Sequence, residues 1–234
     1  MEVVYEDNHI IIVNKQSGEI VQGDKTGDTP LSELVKAYLK EKYHKPGDVF
    51  LGVVHRLDRP VSGLVVFART SKALTRLNRM FAEGQVHKTY WALVEQRSDR
   101  GPQPMPFTSR FSLLSHYLVR NERQNKSYAY DHEVPRSKRA ELRCRAIGRT
   151  DRYTLLEVQL LTGRHHQIRC QLAAVGCPIK GDLKYGARRS NPDGSISLLS
   201  HRVEFVHPVS RDPVVVESPL PDDPLWHHVK IIAE

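Results

Sequence analysis

The sequence predicts an α+β protein, with a central mixed or antiparallel sheet flanked by helices and loops. Short apolar runs of strand length recur along the 234 residues, and amphipathic helical stretches are interspersed among them. Hydrophobic residues make up 39% of the chain and charged residues 26%, which excludes a disordered protein. Neither an internal repeat nor a clear linker is visible, so we expect one domain over residues 1–234.

The first part of the chain alternates strand and helix patterns. Residues 31–43 have helical spacing after Thr29 and Pro30, and residues 71–82 have it with Ser71 as the predicted N-terminal cap. Strand-like runs occupy residues 3–5, 10–13, 49–54, 63–68 and 89–94.

The second part begins with loops and returns to strands. Residues 97–106 are rich in Pro and Gly and predict a loop, and residues 121–139 predict a mobile basic loop. A helix is predicted over residues 163–175, ended by Gly176. Further strands are predicted at residues 140–147, 153–161, 202–206 and 214–217.

Charge favours a polyanionic partner. Lys and Arg number 35 against 27 acidic residues, a net charge of +8, so nucleic acid is favoured over a basic protein without such a partner. No apolar run approaches the roughly 18 residues of a membrane helix. Acidic residues near the start argue against a secretory signal, and three cysteines without a C-x-x-C pair exclude a disulfide scaffold. We therefore expect a cytoplasmic protein that does not bind membranes.

A strongly polar segment joins two apolar runs that read as buried strands. It contains His55, Arg56, Asp58 and Arg59, and charge beside a dry core is costly unless it is paired or used. A carboxylate among guanidinium groups stays ionised, which suits a nucleophile or a base. The alternative is a structural Arg–Asp pair that fixes a turn.

Basic residues also gather where the third helix is predicted to start. Arg164, His165, His166 and Arg169 follow Gly163, and a phosphate or carboxylate would satisfy them at a helix N-terminus. The alternative is an exposed basic first turn with no ligand. The histidine spacings lack the H-x-x-x-H pattern, so a metal site is not expected.

A third element combines a cation with an aromatic ring. Alternation places Lys88 and Tyr90 on one face of a strand, where a base and a phosphate would fit. Taken alone, Tyr90 is better explained as a core tyrosine with a satisfied hydroxyl. Residues 181–186 read as a glycine-bounded turn.

Four motifs in order resemble those of the RluA family of pseudouridine synthases. They are H-R-L-D at residues 55–58 with S-G-L at 62–64, K-T-Y-W-A at 88–92, G-R-H-H-Q-I-R at 163–169 and G-D-L-K-Y-G at 181–186. The resemblance extends from about residue 3 to residue 219. It implies a single pseudouridine-synthase-like catalytic domain.

The resemblance also implies an activity and a site. A uridine in ribosomal or transfer RNA would be isomerised to pseudouridine without cofactor or metal, after the base is flipped out. Asp58 would be the catalytic carboxylate, Arg169 its cationic partner and Tyr90 the residue packed on the target ring. Arg56 would fill the space left by the flipped nucleotide. The expected RNA- or substrate-binding residues are His55, Arg56, Leu57, Lys88, Arg164, His166 and Gln167.

Some features depart from the family pattern. Val61 replaces a Thr, Gln16 replaces a Pro and Cys177 replaces a common His, and none of these is assigned to chemistry. We expect a monomer without the S4-like domain that many relatives carry. The main alternative is a noncatalytic RNA-binding or chaperone protein of the same fold, and a second is a phosphate-handling enzyme that uses the helix start at Gly163.

Overall fold

The computed structural model describes residues 1–95 and 106–232, so the predicted loop at residues 97–106 lies, except for its last residue, outside the described residues. The chain forms two compact units. The first unit contains Met1–Lys88 and Ser200–Pro219, and the second contains Thr89–Leu199 and Leu220–Glu234.

The described residues form strands, α-helices and one short 3-10 helix. The first elements are β1 (Glu2–Glu6), β2 (Ile10–Lys15), α1 (Leu31–Lys42), β3 (Gly52–Val53), β4 (Ser62–Ala68), α2 (Ser71–Ala82) and β5 (His87–Val94). They are followed by β6 (Ser112–Asn121), β7 (Lys126–Tyr130), β8 (Lys138–Arg149), β9 (Thr154–Leu160), α3 (Gln167–Ala174) and the 3-10 helix (Leu183–Tyr185). The last are β10 (Leu198–Val206), β11 (Pro213–Glu217), α4 (Pro224–His227) and β12 (Lys230–Ile231).

In the first unit the strand order is β1-β2-β4-β10, with β3 on β4 and β11 on β10. The β1–β2, β2–β4, β3–β4 and β10–β11 pairs are antiparallel. Strands β2 and β4 are mainly apolar and almost wholly buried, as expected for central strands covered on both faces. The inward face of α2 packs on them through Ala73, Leu77 and Met80. The polar segment that joins β3 to β4 therefore leads directly into a strand of this core.

Gly63 lies where β4 begins and runs close to β10. Its φ of +109° is unfavourable for other residues. A Cβ atom there would also clash with the backbone carbonyl of Ser200. Glycine is therefore required for β4 and β10 to approach each other directly after the polar segment.

In the second unit the strand order is β5-β9-β8-β6-β7, with β12 on β8. The registers assigned among these strands are antiparallel. Strand β8 alternates between buried and more exposed side chains, so one face of the sheet is covered. Helix α3 packs against β6 and β7 on the buried face. This packing fixes the helix that carries the second basic motif.

The α+β class is confirmed, and most predicted elements lie within a few residues of the observed ones. Helix α2 has the predicted limits, but its cap is Thr70 and not Ser71, because the Thr70 hydroxyl accepts the N–H of Ala73 at 3.2 Å. The cap predicted at Thr29 is also displaced, to Pro30. The strand expected at residues 49–54 is reduced to β3.

Two predictions of the second part are wrong in detail. Residues 121–139, predicted as a mobile basic loop, contain β7 and the start of β8. Helix α3 starts at Gln167, four residues after the predicted Gly163, because His166 has a left-handed φ of 52°. Elsewhere, none of the helices in the part of the chain that the structure describes is long and apolar enough to cross a membrane. Each cysteine is a buried free thiol.

Candidate active site

Asp58 lies in the segment that leaves the sheet after β3 and returns to it at β4. The Val61 N–H donates to the Asp58 carbonyl at 3.0 Å and closes a turn directly after the carboxylate. The Arg59 side chain points away to another loop, where it contacts Asp28 at 2.7 Å and donates to Thr26 at 2.8 Å. The Arg59 guanidinium, which the sequence places next to Asp58, is thus held by the side chains of Asp28 and Thr26.

The buried cation beside this segment is Lys15, at the end of β2. Its Nζ donates to the carbonyls of Gln16 at 3.0 Å, Arg59 at 3.0 Å and Val61 at 2.6 Å. Burial lowers the pKa of Lys15 to about 8, while the negative charges of Glu19 and Asp58 oppose that shift. An ammonium group therefore holds the backbone just after Asp58 and also attracts its carboxylate. Lys15 was not predicted as a site residue, although a lysine so close to the apolar run of residues 10–13 was a usable signal.

His55 and Lys88 share one aromatic neighbour, Phe81. The His55 ring stacks on Phe81 with centroids 4.9 Å apart, and the Lys88 Nζ lies 5.4 Å from the centre of the same ring. The Val66 N–H donates to His55 Nε2 at 2.9 Å. Burial, with a smaller effect from Lys88, lowers the pKa of His55 to about 3. The His55 ring is therefore neutral, and its Nε2 is already used by the backbone of β4.

The two residues between His55 and Asp58 differ in exposure. Arg56 is exposed to solvent, whereas the Leu57 side chain is buried and contributes to the core. Arg56 is thus accessible to an RNA ligand, as the family resemblance requires of it. Leu57 anchors the segment through packing.

A hydrogen-bond network shapes the chain just before α3. The Gln167 Oε1 accepts the Arg164 N–H at 2.9 Å and the Thr162 hydroxyl at 2.8 Å, and Gln167 Nε2 donates to the Glu141 carbonyl at 3.0 Å. The Arg164 Nε donates to the Arg139 carbonyl at 3.0 Å. Gln167 therefore closes the turn that precedes its own helix, and this turn presents Arg164.

His166 precedes α3 and is buried against Tyr185. Its Nδ1 lies 3.0 Å from the Tyr185 hydroxyl, which also accepts the Ser127 N–H at 2.8 Å. Burial, with smaller effects from Arg169 and other nearby cations, lowers the pKa of His166 to about 2. A neutral His166 thus joins the helix start to β7.

Arg169 makes a buried bidentate ion pair with Asp182. Its Nε donates to Asp182 Oδ2 at 2.7 Å and its Nη2 donates to Oδ1 at 2.9 Å. The guanidinium also lies 5.1 Å from the centre of the Tyr185 ring. The sequence predicted that a phosphate or a carboxylate would satisfy Arg169, and in the structure the Asp182 carboxylate contacts it. Residues 181–186 were predicted as a turn and matched to a family motif, but no role was predicted for Asp182.

The remaining predicted site residue, Tyr90, is buried in the centre of β5. It lies opposite Val158 of β9 and on the same sheet face as the buried residues of β8. That is also the face on which α3 packs. Tyr90 and Arg169 therefore belong to the same side of the second unit.

The predicted residues form two groups, one in each unit. The first group, His55, Leu57 and Asp58, lies on one anchored segment of the first unit, and Lys88 belongs to the same unit. The second group surrounds the start of α3 in the second unit and consists of Arg164, His166, Gln167 and Arg169. Among the described residues, no cluster of three or more His, Cys, Asp or Glu side chains is arranged to hold a metal ion. The first unit supplies a carboxylate on an anchored segment with an ammonium group beside it, and the second unit supplies a buried arginine in an ion pair.

Comparison with known families gives one clear match. A family model described as RNA pseudouridylate synthase matches residues 9–174. The matched segment contains Asp58, Tyr90 and Arg169, the three residues to which the sequence resemblance gives chemical roles.

Several curated proteins are similar to this chain over almost its whole length. Ribosomal large subunit pseudouridine synthase C of Vibrio cholerae is 33% identical over 93% of the chain, which spans 65% of that protein's length. Pseudouridylate synthase RPUSD4, mitochondrial, of Xenopus tropicalis is 30% identical, covering 94% of this chain and 77% of the relative. The tRNA pseudouridine synthase C of Vibrio cholerae is 30% identical, covering 97% and 93%.

Solved structures share the fold. The human RNA pseudouridylate synthase domain containing 4 superposes with a TM-score of 0.77 at 20% identity, covering 98% of this chain and 94% of the other. The human RNA pseudouridylate synthase domain containing 1 gives a TM-score of 0.68 at 23% identity, covering 96% and 85%.

Proposed function

Because the chain belongs to the RluA family of RNA pseudouridine synthases, we propose that it isomerises uridine to pseudouridine within RNA. The observation that carries the proposal is the position of Asp58. The sequence resemblance matches it to the family's aspartate, and it lies on a segment that the side chains of Lys15, His55 and Leu57 hold in place. A carboxylate fixed in this way is preorganised for attack on a bound nucleotide.

The reaction requires no net oxidation and no transferred group. The bond between the ribose C1′ and the uracil N1 breaks, the base turns, and a bond between C1′ and C5 forms. The proton lost from C5 is balanced by a proton gained at N1, so substrate and product have the same composition. Asp58 would act as nucleophile toward the ribose C1′ or the uracil ring. Because the target atoms are shielded in a stacked helix, the uridine has to be flipped out first.

The other roles follow from the family resemblance. We assign Tyr90 to contact with the target ring and Arg169 to the stabilisation of the Asp58 carboxylate. The exposed Arg56 would fill the gap that the flipped nucleotide leaves. The pair with Asp182 supports this assignment of Arg169, because a bidentate carboxylate holds a guanidinium in one orientation.

The proposed substrate includes two classes of RNA. Curated relatives include a synthase named for the large ribosomal subunit and one named for tRNA. We propose that the substrate is ribosomal or transfer RNA, recognised mainly by its shape and its phosphates. The net charge of +8 supports a partner of this kind.

The decisive experiment compares Asp58→Asn with wild type and with Asp48→Asn, an exposed aspartate of the same unit. Pseudouridines are mapped across total RNA from cells that lack the gene and are complemented with each variant. We expect wild type and Asp48→Asn to restore the same pseudouridine or pseudouridines, and Asp58→Asn to restore none. The purified Asp58→Asn protein should bind the RNA that contains the mapped site with affinity close to that of wild type.

A noncatalytic RNA-binding or chaperone role predicts a different result. In that case Asp58→Asn would restore cellular function, and no pseudouridine would depend on the gene. A phosphate-handling enzyme that needs a metal would lose activity on treatment with a chelator, whereas the proposed isomerisation would not.

A further inference from the structure

His55 stands where the chain leaves the sheet on its way to Asp58. Strand β3 pairs with β4 only through Gly52 with Ala68 and Val53 with Phe67. The same register would next place a β3 residue opposite Val66, but the strand has ended. The Val66 N–H is bound instead by the imidazole Nε2 of His55 at 2.9 Å. The ring thus replaces the backbone acceptor that a longer strand would have supplied.

The His55 ring is held in one orientation and one protonation state. It stacks on Phe81 of α2 with centroids 4.9 Å apart and planes 24° from parallel. The Lys88 ammonium group lies on the same aromatic side chain, 5.4 Å from its centre. A nitrogen that accepts an N–H carries no proton, so His55 is neutral with its proton on Nδ1. A cation beside it disfavours a second proton.

The two ends of the polar segment are fixed by different side chains. His55 fixes the departure from the sheet, and Lys15 holds the return through the carbonyls of Arg59 and Val61 at 3.0 and 2.6 Å. Asp58 lies between these two anchors. Its backbone position therefore depends on both of them.

We propose that His55 is a positioning residue, which binds the Val66 N–H as a neutral acceptor and so fixes the backbone that carries Asp58. This inference rests on the proposed function, in which Asp58 is the catalytic residue. It gives His55 a role inside the protein, distinct from the RNA contact that the sequence resemblance implied. This role depends on the acceptor nitrogen of the neutral imidazole and not on a positive charge of the ring.

The test compares two substitutions that differ in one property. His55→Gln keeps an acceptor at about the reach of Nε2, whereas His55→Leu fills similar space without one. Single-turnover rates with saturating RNA report the chemical step, and RNA dissociation constants are measured separately. We expect His55→Leu to lower the rate about tenfold to a hundredfold, the loss typical of a displaced catalytic group. RNA affinity should stay within about twofold of wild type, and His55→Gln should recover most of the rate.

Backbone amide exchange provides a second measurement that does not depend on catalysis. The Val66 amide should exchange slowly in wild type and His55→Gln and faster in His55→Leu. If His55→Leu fails to fold, the His55→Gln rate and the wild-type ¹⁵N signal of Nε2 test the proposal instead. An unprotonated Nε2 coupled to the Val66 amide supports the proposal.

Three results would overturn the proposal. The first is weaker RNA binding by His55→Leu at an unchanged rate, which would make His55 an RNA contact. The second is an equal loss of rate in both variants, and the third is a protonated Nε2. An inactive wild-type protein would instead overturn the proposed function, and the Val66 exchange rate would still report whether the bond exists.

Discussion

The pair between Arg169 and Asp182 is the most deeply buried charge contact described in the second unit. The two side chains are 6% and 1% exposed, so water screens neither of them well. Removing one partner of such a pair leaves a charge in a poorly solvated place. The stability of the second unit should therefore depend on Asp182 more than on any surface acid.

We expect Asp182→Asn to lower the free energy of unfolding by about 3–5 kcal/mol, because the Arg169 guanidinium would keep its charge without the Asp182 carboxylate. Urea unfolding at pH 7 measures the change. Asp151→Asn serves as the matched control, because Asp151 is an exposed acid of the same unit. A loss below about 1 kcal/mol in Asp182→Asn would mean that the pair is solvated and weak, as surface pairs are.

The residues around these charges differ in how far the sequence could predict them. Asp58 and Arg169 were predicted as site residues because their motifs have a fixed spacing. Lys15 and Asp182 were not, because their partners are backbone carbonyls or a side chain 13 residues away that only the fold brings near. The acceptors of Arg59 could not be predicted for the same reason, since they lie more than 30 residues earlier in the sequence.

The N-terminus of α2 allows the sequence prediction and the structure to be compared directly. Sequence spacing placed the cap at Ser71, whereas the structure places it at Thr70, whose hydroxyl accepts the Ala73 N–H. We expect Thr70→Ala to lower the free energy of unfolding by about 1 kcal/mol and Ser71→Ala to leave it nearly unchanged. Thermal or urea unfolding of the two single variants distinguishes these cases. The reverse order would identify Ser71 as the cap.

Whole elements were predicted well where the hydrophobic period was clear. The apolar runs of β2 and β4 predicted buried strands, and the amphipathic face of α2 predicted a helix. The β6–β7 hairpin was missed because its turn lacks glycine and uses Asn125 in a left-handed conformation with φ of 46°. Helix α3 was extended too far toward its N-terminus, because the sequence of residues 163–166 does not reveal the left-handed backbone of His166.

The basic character of the chain predicts how RNA binding depends on salt. Arg123, Arg136 and Lys138 lie in or beside the β6–β7 and β7–β8 turns and are exposed. If they contact phosphates, each change to Ala should reduce the slope of log K against log salt by about 0.7 to 0.9, because fewer counterions are released. Arg79→Ala is the control, since Arg79 is exposed but already paired with Glu83 at 2.7 Å. A slope unchanged in the three variants would exclude these residues from the RNA interface.

Two histidines that stay neutral in the folded protein should make it sensitive to mild acid. The folded-state pKa values of His55 and His166 are lowered to about 3 and about 2, mainly by burial. In the unfolded chain both rings take up a proton near pH 6.5, while in the folded chain they stay neutral. Because the unfolded state then binds more protons, stability falls as the pH decreases below about 6.5.

We expect the free energy of unfolding to fall between pH 6.5 and 4.5 with a slope that approaches about 1.4 kcal/mol per pH unit for each of these histidines. Urea unfolding at a series of pH values measures it. The double variant His55→Gln, His166→Asn should show a shallower slope, because neither new side chain titrates, and asparagine tolerates the left-handed backbone at position 166. The lowered pKa values of Glu6 and Asp7 act below about pH 4.5 and do not affect this range. An identical slope in wild type and the double variant would mean that other groups control the acid response.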